Sequence, residues 1–161
     1  MMKREKVDRS PIILNNVLND VIEIFHTESI FRNVHVETEL DGLLPPVLGD
    51  KVQLQQVVFN LILNAADAMS HNPPEHRQII LRTGVKDDRI RVTVRDFGPG
   101  IDKENLERIF QPFFSTKRTG LGVGLAVCHT IVEAHGGRIW AENNPDRGAT
   151  FFFEIPVISN Q

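Results

Sequence analysis

The chain has 161 residues, 41% hydrophobic and 24% charged, with a formal net charge of −3. That is the make-up of an ordinary globular domain large enough to bury a core. It offers no basic surface for nucleic acid or for an anionic membrane. The single cysteine, Cys128, excludes an internal disulfide framework and a cysteine zinc site. It sits in an apolar helical run and reads as packing. No apolar stretch is long enough to cross a membrane and no signal peptide is visible, so a cytoplasmic setting is expected.

Helix and strand periods alternate along the chain, which predicts one α/β domain. Lys3 to Asp8 reads as a short edge strand. Ser10-Pro11 reads as a helix start, with Ser as N-cap and Pro in the first turn. The stripe Ile13, Leu14, Val17, Leu18, Val21, Ile22 and Phe25 then faces a core. Val34 to Leu40 alternates like a strand. Asp41-Gly42 and Pro45-Pro46 mark turns. Asp50 caps a second helix running to about Met69, and Pro73-Pro74 breaks the chain. Ile79–Val85 and Arg89–Asp96 read as antiparallel strands joined at Asp87-Asp88. Asp102 caps a short helix through Ile109, and residues 111–122 are loop-like. Gly124 to His135 forms a third helix, stopped by Gly136-Gly137. Arg138–Glu142 and Ala149–Pro156 are the last strands, joined by a turn at Asn143-Asn144-Pro145-Asp146. The expected fold is a two-layer α/β sandwich, with a mixed, mostly antiparallel sheet covered on one face by three main helices.

Four segments carry chemistry. On the second helix Asn60, Asn64 and Asp67 fall at i, i+4 and i+7 and share a face. The rest of that helix is apolar, so these side chains need partners. They are either a structural amide pair or a hard-cation site, where Asn carbonyls bind Mg²⁺ without adding fixed charge. In the strand ending at Asp96, alternation with Ile90, Val92 and Val94 turns the Asp96 carboxylate to the apolar side. It is either a turn-forming Asp or an acceptor for the amino group of adenine. Gly98 and Gly100, around Pro99, allow a tight turn and leave room for a flat base. Phe110, Phe113 and Phe114 surround a proline and anchor a loop to the core. Gly120, Leu121, Gly122, Gly124 and Leu125 make a glycine turn into a helix, where free N–H groups and the helix dipole favour phosphate. The turn matches neither a P-loop nor a dinucleotide fingerprint. His26, His35, His71, His76, His129 and His135 are scattered and read as structural or solvated. His135, before Gly136-Gly137, reads as a helix C-terminal residue complementing the dipole.

The order Asn60-Leu-Ile-Leu-Asn64-Ala, Asp96-Phe-Gly98-Pro-Gly100, Phe110-Gln-Pro-Phe113-Phe114, Gly120-Leu-Gly122-Val-Gly124-Leu125 resembles the catalytic and ATP-binding domain of bacterial sensor histidine kinases. These belong to the ATPase superfamily that includes gyrase, heat-shock chaperone and mismatch-repair members. The resemblance implies Asn64 as the Mg²⁺ ligand, with Asn60 supporting metal or phosphates, and Asp96 as the adenine-recognising residue. It implies that the phenylalanine cluster is the hinge of an ATP lid. Within the lid, Ser115 to Thr119, Lys117 contacts phosphate and Arg118 is its alternate or a solvated charge. One position separates the branches of the superfamily, and one departs from the kinase pattern. Hydrolysing members carry a Glu four residues before the metal-binding Asn, and here that position is Asn60. Many relatives place Thr or Ser after Gly148, and here Ala149 follows, with Thr150 facing the other way.

The resemblance implies ATP and Mg²⁺ as cofactors and a histidine on a separate helical dimerisation and phosphotransfer domain as acceptor, with a response regulator downstream. It implies no nucleic-acid partner and no direct membrane contact. Residues 1–8 are expected to be the junction from the acceptor helices, 9–157 the catalytic domain and 158–161 a tail. His26-Thr27-Glu28 lies inside the first helix and is rejected as the acceptor. A serine-kinase anti-sigma factor and a nucleotide-gated interaction module without transfer are the alternatives.

Overall fold

The computed structural model describes residues 9–112, 114 and 124–158. The expected strand at Lys3–Asp8, the lid at Ser115–Thr119 and Phe113 lie outside them. Among the described residues, β2 (His35–Glu39), β4 (Gln78–Lys86), β5 (Arg89–Arg95), β7 (Ala149–Pro156) and β6 (Arg138–Asn143) form one sheet in the order β2-β4-β5-β7-β6. Only the β2–β4 pair is parallel. The helices α1 (Leu14–Arg32), α2 (Lys51–Ala68) and α3 (Gly124–Ala134) pack on one face. This is the expected mixed, mostly antiparallel two-layer arrangement.

Alternation decides which face is covered. Ile90, Val92 and Val94 of β5 and Ala149, Phe151, Phe153 and Ile155 of β7 are buried under the helices. Arg91, Trp140 and Phe152 lie on the opposite face, where the Trp140 and Phe152 rings stack 5.0 Å apart and the Arg91 guanidinium lies over both. The α1 stripe buries Leu14, Val17, Leu18, Val21 and Phe25, as its 3.6 period requires. The β4–β5 hairpin turns at Asp87 and Asp88, both with positive φ (52° and 60°), the backbone that a tight two-residue hairpin needs.

Two expectations fail, both at predicted helix starts. Ser10 does not cap α1. Instead β1 (Ser10–Ile12) pairs antiparallel with β3 (Val47–Gly49) in a separate two-stranded sheet. The N-cap of α1 is Ile13, with no side-chain cap bond. Pro11 is tolerated because an edge strand does not need its missing N–H. Likewise Asp102 makes no capping bond, and it leads only into the 3₁₀ turn Lys103–Asn105 rather than a helix to Ile109. The other caps form. Asp50 Oδ1 accepts from the Gln53 N–H at 3.0 Å, and Gly136 closes α3 at φ +75°.

Candidate functional site

The centre of the site is α2, which touches one region near its middle and another at its C-terminal end. Asn60 and Asn64 share its half-buried face. Asn60 faces the start of α3: a Cβ added to Gly124 would lie 3.9 Å from the Asn60 amide carbon. Asn60 also reaches Cys128 on α3, whose buried thiol bonds the Val57 carbonyl at 3.7 Å. Burial pushes that thiol up to about 12, despite the Asn60 contact, so it is inert packing. The third residue of the face, Asp67, has a structural partner. Arg32 Nη1 donates to its Oδ1 at 2.7 Å, tying α1 to α2.

The C-terminal end of α2 meets the loop after β5. A Cβ on Gly98 would lie 2.7 Å from the Ala68 carbonyl oxygen. Beside the tight turn expected of it, the absent side chain of Gly98 permits this close approach to α2. Met69 Sδ accepts from the Phe97 N–H at 3.4 Å. Between Asn60 and Ala68, α2 rises about 12 Å, at 1.5 Å per residue. The two ends of the site are thus held at a fixed separation on one rigid rod.

Asp96 lies where strand parity predicts, at 2% exposure. Its Oδ1 accepts from the Gly98 N–H at 2.9 Å and the Ala149 N–H at 3.2 Å. Oδ2 accepts no bond among the described residues. Burial raises the carboxyl above the ordinary aspartate range, and the two N–H bonds only partly offset this. A buried carboxylate with one oxygen fixed and the other uncommitted can accept one directed hydrogen bond from a ligand. This acceptor therefore fits an amino-bearing base at this end.

The α3 side is locked from behind. His135, 5% exposed, accepts the Asp50 N–H at Nε2 (3.0 Å). Its Nδ1 therefore carries the proton, donated to the Ile131 carbonyl at 2.8 Å. It is a neutral bridge between the end of α3 and the start of α2, not a cation complementing the dipole.

Phe110 packs edge-on against Phe151 at 6.1 Å and lies 6.1 Å from the His129 ring. It anchors its loop to the core as expected. Gly124 and Leu125 open α3, both half-buried. Lys117, Arg118, Gly120, Leu121 and Gly122 lie outside the described residues. Gly100 sits at φ +89°, which favours glycine. Two surface clefts, of about 260 Å³ at the β4–β5 hairpin and about 340 Å³ between α1 and β2, involve none of these residues.

Sequence reasoning placed the β6–β7 turn but missed what it holds. Gly148 has φ +83°, and a Cβ there would lie 2.2 Å from the Asp96 carbonyl oxygen. Asn144 Nδ2 donates to that same carbonyl at 3.1 Å. Asn143 holds both Ile101 backbone groups. Read locally, these residues signal only a turn, and nothing local says what the turn grips.

With the geometry in place, the profile of the histidine kinase-, DNA gyrase B- and HSP90-like ATPases matches residues 49–159. The chain belongs to this family, and its fold and relatives are those of histidine kinase catalytic, ATP-binding domains. It is similar to the sensor histidine kinase TmoS of Ectopseudomonas mendocina, 40% identical over 97% of this chain. It spans only 16% of the length of that relative. The catalytic domain of histidine kinase ThkA superposes with a TM-score of 0.82 at 35% identity, covering 92% of this chain and 95% of that one. Full-length ShkA in complex with AMPPNP gives a TM-score of 0.83 at 26% identity, covering 98% of this chain and 33% of that one.

Proposed function

We propose that this chain binds Mg-ATP and transfers its γ-phosphoryl group to a histidine on a separate helical domain, for relay to a response regulator. In this reading adenine lies at Asp96, Gly98 and Gly100. Asn64, with Asn60 beside it, would hold Mg²⁺, which supplies charge neutralisation at the phosphates. The glycine turn into α3, with Lys117 and Arg118 before it, would cradle the β and γ groups. Residues 9–157 are the catalytic domain, and residues 1–8 join it to the acceptor helices.

One observation carries the choice of transfer over hydrolysis. The sequence of α2 has a single carboxylate, Asp67, and Arg32 holds it. Asn60 has no basic group to activate water. Attack on the γ-phosphorus must then come from a nucleophile brought in by another domain, and positioning alone can catalyse that.

The experiment is steady-state phosphate release by the purified chain with saturating Mg-ATP. A kinase domain without its acceptor turns over very slowly while binding nucleotide. Brisk turnover by the isolated chain would place it among the hydrolases instead.

A further inference from the structure

We propose that the β6–β7 turn is a clamp on the end of β5, and that Arg147 is a positioning residue which aims Asp96 at the 6-amino group of adenine. This rests on the reading of Asp96 as the adenine acceptor.

The chain after β5 leaves the sheet at Asp96, so its next carbonyls lose their strand partners. Both are instead held by side chains distant in sequence. The Asp96 carbonyl accepts from Asn144 Nδ2 at 3.1 Å. The Phe97 carbonyl accepts from two donors, Asn72 Nδ2 at 2.9 Å and Arg147 Nε at 2.8 Å. Arg147 Nη2 also lies 3.4 Å from Asn72 Oδ1, so the two side chains brace each other. Asn72 is 5% exposed and is fixed further by donating to the His76 carbonyl.

The turn itself is pinned from β5. Arg95 Nη2 donates to both oxygens of Asp146 at 2.9 Å. Asp146 Oδ1 in turn accepts the Arg147 N–H at 2.8 Å. The Arg95 guanidinium lies 4.9 Å over the Phe97 ring. Finally, the Ala149 N–H that follows the turn donates to Asp96 Oδ1. The clamp therefore holds Asp96 by one carboxylate oxygen, by its own carbonyl and by the carbonyl of the next residue. The other oxygen then has one direction in which to point.

Arg147 itself is exposed, so replacing it should leave the fold intact and be read in nucleotide discrimination. Hypoxanthine carries a carbonyl oxygen where adenine has its amino group, so the ADP-to-IDP affinity ratio reads the Asp96 contact directly. Titrations of the whole chain with Mg-ADP and Mg-IDP, for wild type, Arg147→Ala, Arg147→Lys and Asp96→Asn, test the assignment. Arg147→Ala should weaken ADP about 5- to 20-fold and IDP less than twofold, compressing the ratio. Arg147→Lys keeps one donor to the Phe97 carbonyl and should restore part of the ratio. If Arg147→Ala weakens both nucleotides equally, or leaves the ratio within twofold of wild type while Asp96→Asn collapses it, the clamp is wrong and the Asp96 reading stands. If Asp96→Asn leaves the ratio unchanged, the Asp96 reading fails and the clamp fails with it.

Discussion

Asp96→Asn separates binding from stability. The two backbone N–H groups that converge on Oδ1, from Gly98 and Ala149, can only be met by an oxygen. They fix the Asn side chain with its carbonyl in the Oδ1 position. Its NH₂ then replaces Oδ2 and confronts the amino group of adenine, donor against donor. The lost bond involves a charged acceptor, worth about 1.5–3 kcal/mol. At about 1.4 kcal/mol per tenfold, that is roughly a 10- to 150-fold rise in the Kd for Mg-ADP, read by calorimetric titration. Stability should not follow. Burial raises the pKa of Asp96, so folding takes up protons at this site and its contribution falls as pH rises through the raised value. The neutral amide removes that cost, and the variant should melt no lower than wild type at neutral pH. Nucleotide affinity has the opposite pH dependence, since it needs the carboxylate. It should weaken on acidification at a higher pH than an ordinary aspartate would set, and Asp96→Asn should abolish that dependence. A Kd within twofold of wild type would reduce Asp96 to a turn residue.

Four further outcomes are expected. Gly148→Ala forces a Cβ to 2.2 Å from the Asp96 carbonyl at φ +83° and should cost more than about 2 kcal/mol in urea unfolding. Gly42→Ala, with nothing within 4 Å, should stay within about 0.5 kcal/mol. Asn64→Ala should leave nucleotide binding nearly independent of Mg²⁺, measured by titration with and without chelator, and retained dependence would remove Asn64 from the metal site. Glu154, buried between Arg91 and Arg138, is pushed up by burial but held below the ordinary glutamate range by those two guanidinium bonds. Its contribution is present above the unfolded-state value and lost as pH falls through the lowered one. Glu154→Gln should cost about 1–3 kcal/mol at neutral pH and flatten the acid limb of the stability profile.

The parts legible in sequence are those with local periodicity or local caps. Strand parity places Asp96, its position before an apolar run places Asp50, and its position after one places Gly136. The departures share a physical origin. β1 and β3 have three residues each, too few for a period-2 pattern to declare itself. Ser10-Pro11 carries a helix-start signature but sits in a strand because the pairing with Leu48 and Gly49 is non-local. The grip of Asn144, Arg147 and Gly148 on Asp96 and Phe97 spans about fifty residues of chain, and no window short enough to read a turn contains both halves. Asn72, just before the Pro73-Pro74 break, gives no local sign of its bond to the Phe97 carbonyl for the same reason. His135 differs from its sequence reading because its partner is an N–H at the start of another helix, which turns an apparent terminal cation into a neutral acceptor.

The central claim is transfer to histidine. The direct measurement is a time course with γ-labelled ATP, Mg²⁺, the whole chain and a helical acceptor domain bearing the target histidine. Label on the acceptor and free phosphate are followed together. A histidine kinase domain gives acid-labile label on the acceptor that accumulates faster than free phosphate, and loses it with Asn64→Ala. Rapid release of free phosphate with no label on the acceptor would contradict the proposed function.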